Sequence, residues 1–168
     1  MNNLPKRRQL RLKEYDYRQN GVYFVTICTK DRKALLWDGS VGAIINRPPE
    51  NVALSEIGQI VKQAIENIET HYPGIAVKNY VIMPNHVHLL LSIQQYDPGA
   101  GGRLVIAPTE LSNVVRQMKA YVTKCCGERI WQKSFHDHIV RNREEYQQIW
   151  KYIDENPLKW QLDCYFTS

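Results

Sequence analysis

The stretch VKNYVIMPNHVHLLLSI, residues 77–93, decides the fold that this sequence predicts. Two apolar runs flank Pro84 and Asn85. Proline presets its own φ angle and asparagine tolerates turn conformations, so this pair suits a tight turn between two strands. The stretch is therefore predicted to form a β-hairpin.

Two elements are predicted before this hairpin. Residues 22–29, VYFVTICT, are uncharged and rich in β-branched and aromatic side chains, which predicts a central strand buried on both faces. Residues 31–53 contain scattered glycines and prolines and are predicted to be a loose hairpin or loop. Apolar residues at helical spacing then predict a helix over about residues 54–71.

Three more elements are predicted after the hairpin. Residues 97–102, DPGAGG, form a flexible loop, after which Thr109 is expected to cap a helix over about residues 110–126 that Gly127 ends. A last strand covers roughly residues 134–140. Asn142, with Glu145 three positions later, predicts the start of a final helix that ends before Pro157 and buries Tyr146 and Trp150.

The resulting order is strand, helix, strand, strand, helix, strand, then an extra helix. It predicts an α+β fold: a ferredoxin-like βαββαβ antiparallel sheet with helices on one face plus an extra C-terminal helix. A chain of 168 residues with 43% hydrophobic residues suits a single domain over residues 1–168. Residues 1–20 are predicted to be a basic N-terminal arm, whose alternative role is to solubilise the terminus.

Composition narrows the function classes. No apolar run approaches the roughly 20 residues that span a bilayer, and no secretory signal is visible, so a cytoplasmic protein is expected. The four cysteines have no CxxC spacing, which favours reduced thiols. A net charge of +5 suits a polyanionic partner.

His86 and His88 are the sharpest candidate site. Alternate strand residues share a face, so the two histidines project together about 7 Å apart at Cα and can converge on one divalent ion. Two ligands leave positions open for substrate, which favours a catalytic Mg²⁺ or Mn²⁺, or Zn²⁺, over a closed structural zinc. The alternative is a histidine pair without metal. His136 and His138 repeat the spacing and rank second as ligands.

Four segments resemble the REP-associated and related IS200-like tyrosine transposases, members of the HUH single-strand endonuclease superfamily. They are NYVIMPNHVHLLL, SNVVRQMKAYVTK, WQKSFHDHIVRN and YIDENPLKW, and the resemblance spans residues 15–160. It implies a metal on His86 and His88, and a helix-borne tyrosine that attacks a DNA phosphodiester to form a covalent phosphotyrosine.

The resemblance assigns the nucleophile to Tyr121. A phenol with a pKa of about 10 needs a base or a cation nearby, and Lys124 lies three residues later on the same helical face. The alternative is a packing role for Tyr121. Some family members supply a third metal ligand one turn after the nucleophile, but here Cys125 stands there, and a thiolate suits Mg²⁺ poorly.

Single-stranded DNA is bound by basic residues interleaved with aromatic stacking platforms. Trp131 is the predicted platform, and the basic candidates are Arg7, Arg8, Arg11, Lys30, Arg32, Lys119, Lys124, Lys133, Arg141 and Arg143.

The leading hypothesis is a metal-dependent endonuclease and strand transferase that acts on single-stranded or hairpin DNA. The alternatives are a DNA-binding protein of the same fold that has lost cleavage, and a zinc-binding or RNA-binding ferredoxin-like protein. A monomer or weak homodimer is expected.

Overall fold

The computed structural model describes residues 20–38, 53–94, 110–162 and 164. The loop predicted at residues 97–102, Thr109, and residues 1–19 of the predicted arm lie outside these residues.

The described residues form four strands and four α-helices. They are β1 Gly21–Cys28, α1 Glu56–Glu66, α2 Ile68–His71, β2 Ile75–Met83, β3 His86–Ile93, α3 Leu111–Cys126, β4 His136–Val140 and α4 Arg143–Glu155. Two 3₁₀ segments, Lys30–Arg32 and Asn156–Leu162, follow β1 and α4. No helix in the described part of the chain is long and apolar enough to cross a membrane.

The strands form one antiparallel sheet in the order β2-β3-β1-β4. This is the order of a ferredoxin-like fold, so the predicted fold class is confirmed. The predicted hairpin is also confirmed, because Pro84 and Asn85 form the turn between β2 and β3. Strand β1 is central, as predicted, with β3 on one side and β4 on the other.

The sheet has an apolar face that carries the main core. Val25 and Ile27 on β1 and Leu89 and Leu91 on β3 are buried in one cluster with residues of α1 and α3. Helices α1 and α3 therefore pack on this face. Gly127 ends α3 in the left-handed conformation with φ of 72°, which only glycine adopts at little cost.

The helix predicted over residues 54–71 is broken in two. The Ser55 side chain accepts a hydrogen bond from the Gly58 backbone N–H and begins α1. Asn67 interrupts the helix between α1 and α2 with a ψ angle of −7°. Helical periodicity continues across this break, so the sequence pattern does not reveal it.

Helix α4 lies on the opposite face of the sheet. Its Tyr152 contacts Phe24 and His88, whose side chains alternate with the core residues of β1 and β3. The Asn142 side chain caps α4 by accepting a hydrogen bond from the Glu145 backbone N–H, as predicted. Ile153 is the one buried residue of α4, and Trp150, expected in the core, is 37% exposed. The apolar periodicity of α4 therefore predicted more buried residues than the helix has.

Candidate active site

His86 and His88 lie on the α4 face of the sheet and are buried. Both belong to β3, so the strand alternation directs both imidazoles to one side. Their Nε2 atoms are 3.1 Å apart. The predicted convergence of the two rings is therefore present.

Each ring is held by a hydrogen bond at its other nitrogen. His86 Nδ1 is 2.9 Å from Asn85 Oδ1, and His88 Nδ1 is 2.9 Å from Thr26 Oγ1. The Asn85 carbonyl oxygen can only accept, so His86 carries its hydrogen on Nδ1 and presents a lone pair at Nε2. Burial, and then the neighbouring His86, hold the pKa of His88 well below its usual value. Both rings are therefore suited to being neutral ligands.

The distance between the two Nε2 atoms fits two neighbouring ligands of one metal ion. Bonds of about 2.1 Å at roughly a right angle separate two ligand nitrogens by about 3 Å. In the described part of the chain, no group of three or more histidine, cysteine, aspartate or glutamate residues could hold a metal. Within these residues, a further protein oxygen ligand can come only from another residue type.

Asn156 is a candidate for this oxygen ligand. Its side chain is buried, and neither of its polar atoms has a hydrogen-bond partner among the described residues. A buried amide without partners costs about 1–3 kcal/mol, so its presence points to a ligand. Asn156 keeps helical φ and ψ angles and lies one turn after Tyr152, which places both on one face.

Tyr152 lies over the histidine pair. Its Oη is 3.4 Å from His88 Nε2, and its ring meets Phe24 edge to face at 6.0 Å between centroids. Phe24 in turn stacks on His88 at 5.0 Å. Tyr152 is nevertheless 42% exposed, so a tyrosine that is held beside the imidazole also remains accessible to a substrate.

Tyr121, the predicted nucleophile, lies on α3, which packs on the face of the sheet opposite to the histidines. It is 40% exposed and lines a cavity of about 190 Å³ between α3 and the α1–α2 pair, together with His71 and Tyr72. Its hydrogen bond with Cys125 raises the pKa of the phenol. Cys125 lies on the same helix, on the face of the sheet opposite to the histidine pair.

The signal for Tyr152 was present in YIDENP, residues 152–157. A tyrosine is followed one turn later by an amide, at the end of the helix that comes after the last strand. The pattern does not single out Tyr152 from the sequence alone, because ten tyrosines compete and Tyr121 also lies on a helix.

The second histidine pair shares the face of the first. Thr26 pairs with both His88 and His136 across the sheet, so these side chains point the same way. His138 Nε2 is 2.6 Å from Glu145 Oε1. That nitrogen is therefore occupied by a carboxylate in this structure.

The predicted DNA-binding residues separate into several groups. Arg7, Arg8 and Arg11 lie outside the described residues. Six of the candidates are exposed at the surface: Lys30, Arg32, Lys124, Lys133, Arg141 and Arg143. Lys30 and Arg32 follow β1 at the end of the sheet where His86 begins β3, and Asn85 Nδ2 donates to the Arg32 carbonyl at 3.2 Å.

Two DNA-binding expectations need correction. Lys119 points its ammonium at the carbonyl oxygens of Gln132, Lys133 and Ser134, at 2.6, 3.3 and 3.4 Å. Burial lowers the pKa of Lys119, in keeping with this internal role. Trp131, the expected stacking platform, is only 7% exposed and belongs to the core.

Comparisons with known proteins identify the family. A family model described as Transposase IS200 like matches residues 18–156. An uncharacterized protein of Haemophilus influenzae is 36% identical over 177 residues, covering 96% of this chain and 94% of its own length. The chain belongs to the IS200-like transposase family. It is therefore a transposase, an enzyme that nicks and rejoins DNA, as the sequence predicted.

A named relative agrees with this assignment, and a solved structure shares the fold. The REP-associated tyrosine transposase of Escherichia coli is 24% identical, with 85% of this chain and 70% of that protein covered. A solved structure of a REP-associated tyrosine transposase bound to a REP hairpin has a TM-score of 0.62 at 24% identity, covering 89% of this chain and 74% of its own. The structural likeness confirms the fold of this transposase.

Proposed function

We propose that this transposase cleaves and rejoins single-stranded DNA with Tyr152 as its nucleophile and a divalent ion on His86, His88 and Asn156. One observation carries the proposal: Tyr152 Oη lies 3.4 Å from His88 Nε2. A nucleophile and a metal ligand have to meet at the same phosphate, and this contact brings them together within one chain.

The proposed reaction conserves the phosphodiester bond energy. Tyr152 Oη attacks the phosphorus, the bond to the 3′ oxygen breaks, and the phenol proton ends on the departing 3′-hydroxyl. The product is a 5′-phosphotyrosine, which a 3′-hydroxyl later attacks to rejoin the DNA. A divalent ion held by His86, His88 and Asn156 would neutralise the charge that develops on the phosphate oxygens.

The chain's own residues prepare this reaction. Thr26 and Asn85 fix the two imidazoles, and Phe24 packs against both His88 and Tyr152. Mg²⁺ or Mn²⁺ is the proposed ion, because two nitrogens and one amide oxygen leave positions for water and phosphate.

A hairpin-containing single strand is the proposed substrate. Exposed Lys30, Arg32 and Lys133 lie near the end of β1, where the Ile130 carbonyl accepts from the Lys30 backbone N–H. These cations suit the phosphates that flank a bond cleaved beside His86. The DNA named for the solved relative is a REP hairpin, which supports the same substrate class here.

One chain supplies Tyr152 and both histidines, which supports a monomer as the catalytic unit. The proposed DNA substrate supports the cytoplasm as the place of action. The alternative of a DNA-binding protein that has lost cleavage rested on Cys125 in the third-ligand position. With Tyr152 as the proposed nucleophile, Asn156 is the residue one turn later, so Cys125 no longer argues for a loss of cleavage.

A covalent-adduct assay tests this proposal against the Tyr121 alternative. Wild-type protein, Mn²⁺ and labelled hairpin-containing single strands should give an adduct that survives denaturation. Tyr152→Phe should abolish the adduct and retain DNA binding, because only the attacking oxygen is removed. Tyr121→Phe is the matched control and should react like wild type.

Two further arms test the metal. Chelation by EDTA, or changing both His86 and His88 to Ala, should abolish the adduct while circular dichroism shows a folded protein. An adduct that persists in Tyr152→Phe and disappears in Tyr121→Phe would return the nucleophile to α3. No adduct from wild type on any such strand would reject the nuclease.

A further inference from the structure

Helix α4 carries Tyr152, yet apolar burial holds this helix only weakly. Ile153 is its one buried residue among thirteen, whereas α3 buries five. The orientation of α4 on the sheet must therefore depend on other contacts. Its polar contacts with the sheet lie at its two ends.

The C-terminal half of α4 is attached to the edge strand β2. Asn79 Nδ2 donates to Asp154 Oδ1 at 2.9 Å. This contact is two residues from Tyr152, so it fixes the helix near the reacting hydroxyl. The direction of the helix also depends on how its N-terminal turn is held, because this contact, Tyr152 and Ile153 all lie in the C-terminal half.

The N-terminal turn of α4 is attached to the opposite edge strand, β4, through Glu145. Glu145 Oε1 lies 2.6 Å from His138 Nε2, and Oε2 accepts the Arg141 backbone N–H at 2.7 Å. The Glu145 backbone N–H in turn donates to Asn142 Oδ1 at 2.8 Å. Both carboxylate oxygens are thus used to join the strand, the corner and the helix.

The β4 attachment is aligned with the reacting hydroxyl. Glu145 and Tyr152 are seven residues apart, close to two helical turns, and so lie on one face of α4. On the sheet, His138 pairs with Phe24, the residue against which Tyr152 packs. A tilt of α4 at Glu145 would therefore move Tyr152 over Phe24 and His88.

We propose that the His138–Glu145 pair is a positioning pair, which sets the direction of α4 and so holds the Tyr152 hydroxyl over His88. This inference rests on the proposed function for its effect on rate. The effect on the position of Tyr152 is independent of that function.

The rate test uses His138→Ala, His138→Gln and the control His136→Ala. His136 is exposed on the same strand and the same face. His138→Ala should lower the single-turnover rate of adduct formation about tenfold and leave DNA affinity within about twofold, because misplacement affects the reacting geometry more than binding. His138→Gln retains an N–H donor for Glu145 and should restore most of the rate.

A second test reports the position of the Tyr152 side chain and does not depend on DNA cleavage. In protein labelled with fluorotyrosine, the ¹⁹F signal missing from Tyr152→Phe belongs to Tyr152. His138→Ala should move this signal towards the frequency of solvent-exposed fluorotyrosine, whereas His136→Ala should leave it in place. This spectrum needs no DNA and no metal.

The two tests separate the possible failures. An unchanged Tyr152 signal in His138→Ala overturns the positioning pair whatever the protein does to DNA. Equal adduct rates for His138→Ala and wild type, or a His138→Gln as slow as His138→Ala, also overturn it. A wild-type protein that forms no adduct rejects the proposed nuclease, and the ¹⁹F spectrum then decides the positioning pair alone.

Discussion

The two faces of the sheet are built in different ways. Helices α1 and α3 cover one face with a continuous apolar cluster that includes Val61, Ile65, Val114 and Val122. Helix α4 covers the other face with one buried residue, and its contacts with the sheet are mostly polar or aromatic. Apolar burial is the dominant source of folding free energy, so the α1–α3 face supplies most of the stability.

This difference explains where the candidate chemistry lies. The α4 face contains buried His86, His88 and Asn156, which an apolar layer could not accommodate without unpaired polar groups. A helix held at its two ends can also leave the Tyr152 hydroxyl partly exposed. The stable face therefore supports a sheet whose other face carries functional groups at a cost in stability.

The largest change in stability is expected on the apolar face. Leu89 is 1% exposed in the main core, and Leu89→Ala should lower the free energy of unfolding by about 3 kcal/mol, through lost burial and the cavity left behind. Urea unfolding measures this value. The matched variant His88→Ala, on the neighbouring position of β3, should lower it by much less. A loss for His88→Ala as large as for Leu89→Ala would contradict the contrast between the faces.

A polar contact on the α3 side should have an intermediate effect. Lys119→Ala removes an ammonium that three backbone carbonyls accept, and should lower the free energy of unfolding by about 1 kcal/mol. It should leave the salt dependence of DNA affinity unchanged. The exposed Lys133→Ala should do the reverse, reducing the slope of log affinity against log salt by about 1. Fluorescence anisotropy at several salt concentrations separates the two lysines, and a reduced slope for Lys119→Ala would restore it as a DNA contact.

Local patterns predicted much of this fold. The hairpin follows from a Pro84–Asn85 turn between two apolar runs, and the Asn142 cap follows from the residue types at the start of α4. Both signals lie within a few residues of the structure that they specify. The histidine pair was predictable for the same reason, because strand alternation acts between His86 and His88 directly.

The rest depended on contacts between distant segments. Tyr121 and Tyr152 both lie on amphipathic helices, and only the side of the sheet on which each helix packs separates them. Lys119 was expected to bind phosphate because it is basic. Its carbonyl partners lie thirteen to fifteen residues away along the chain, so no local pattern revealed them. The residue type identified the Lys119 ammonium as a hydrogen-bond donor, but only the tertiary structure identified the backbone carbonyls as its acceptors.

The smallest expected effect concerns the exposed attachment of α4. The Arg141 backbone N–H, and then His138, hold the pKa of the Glu145 carboxyl below its ordinary value of 4.5. The unfolded chain therefore binds the Glu145 proton more readily, so this carboxylate stabilises the fold above about pH 4.5 and loses its contribution as the pH falls through the folded-state pKa. Glu145→Gln should be slightly less stable than wild type at pH 7, and the difference should shrink towards pH 3. Urea unfolding at both pH values measures it, with Glu144→Gln as the control because Glu144 is exposed on the same turn. A difference that stays constant with pH would show that the charge of Glu145 does not contribute to holding α4 on the sheet.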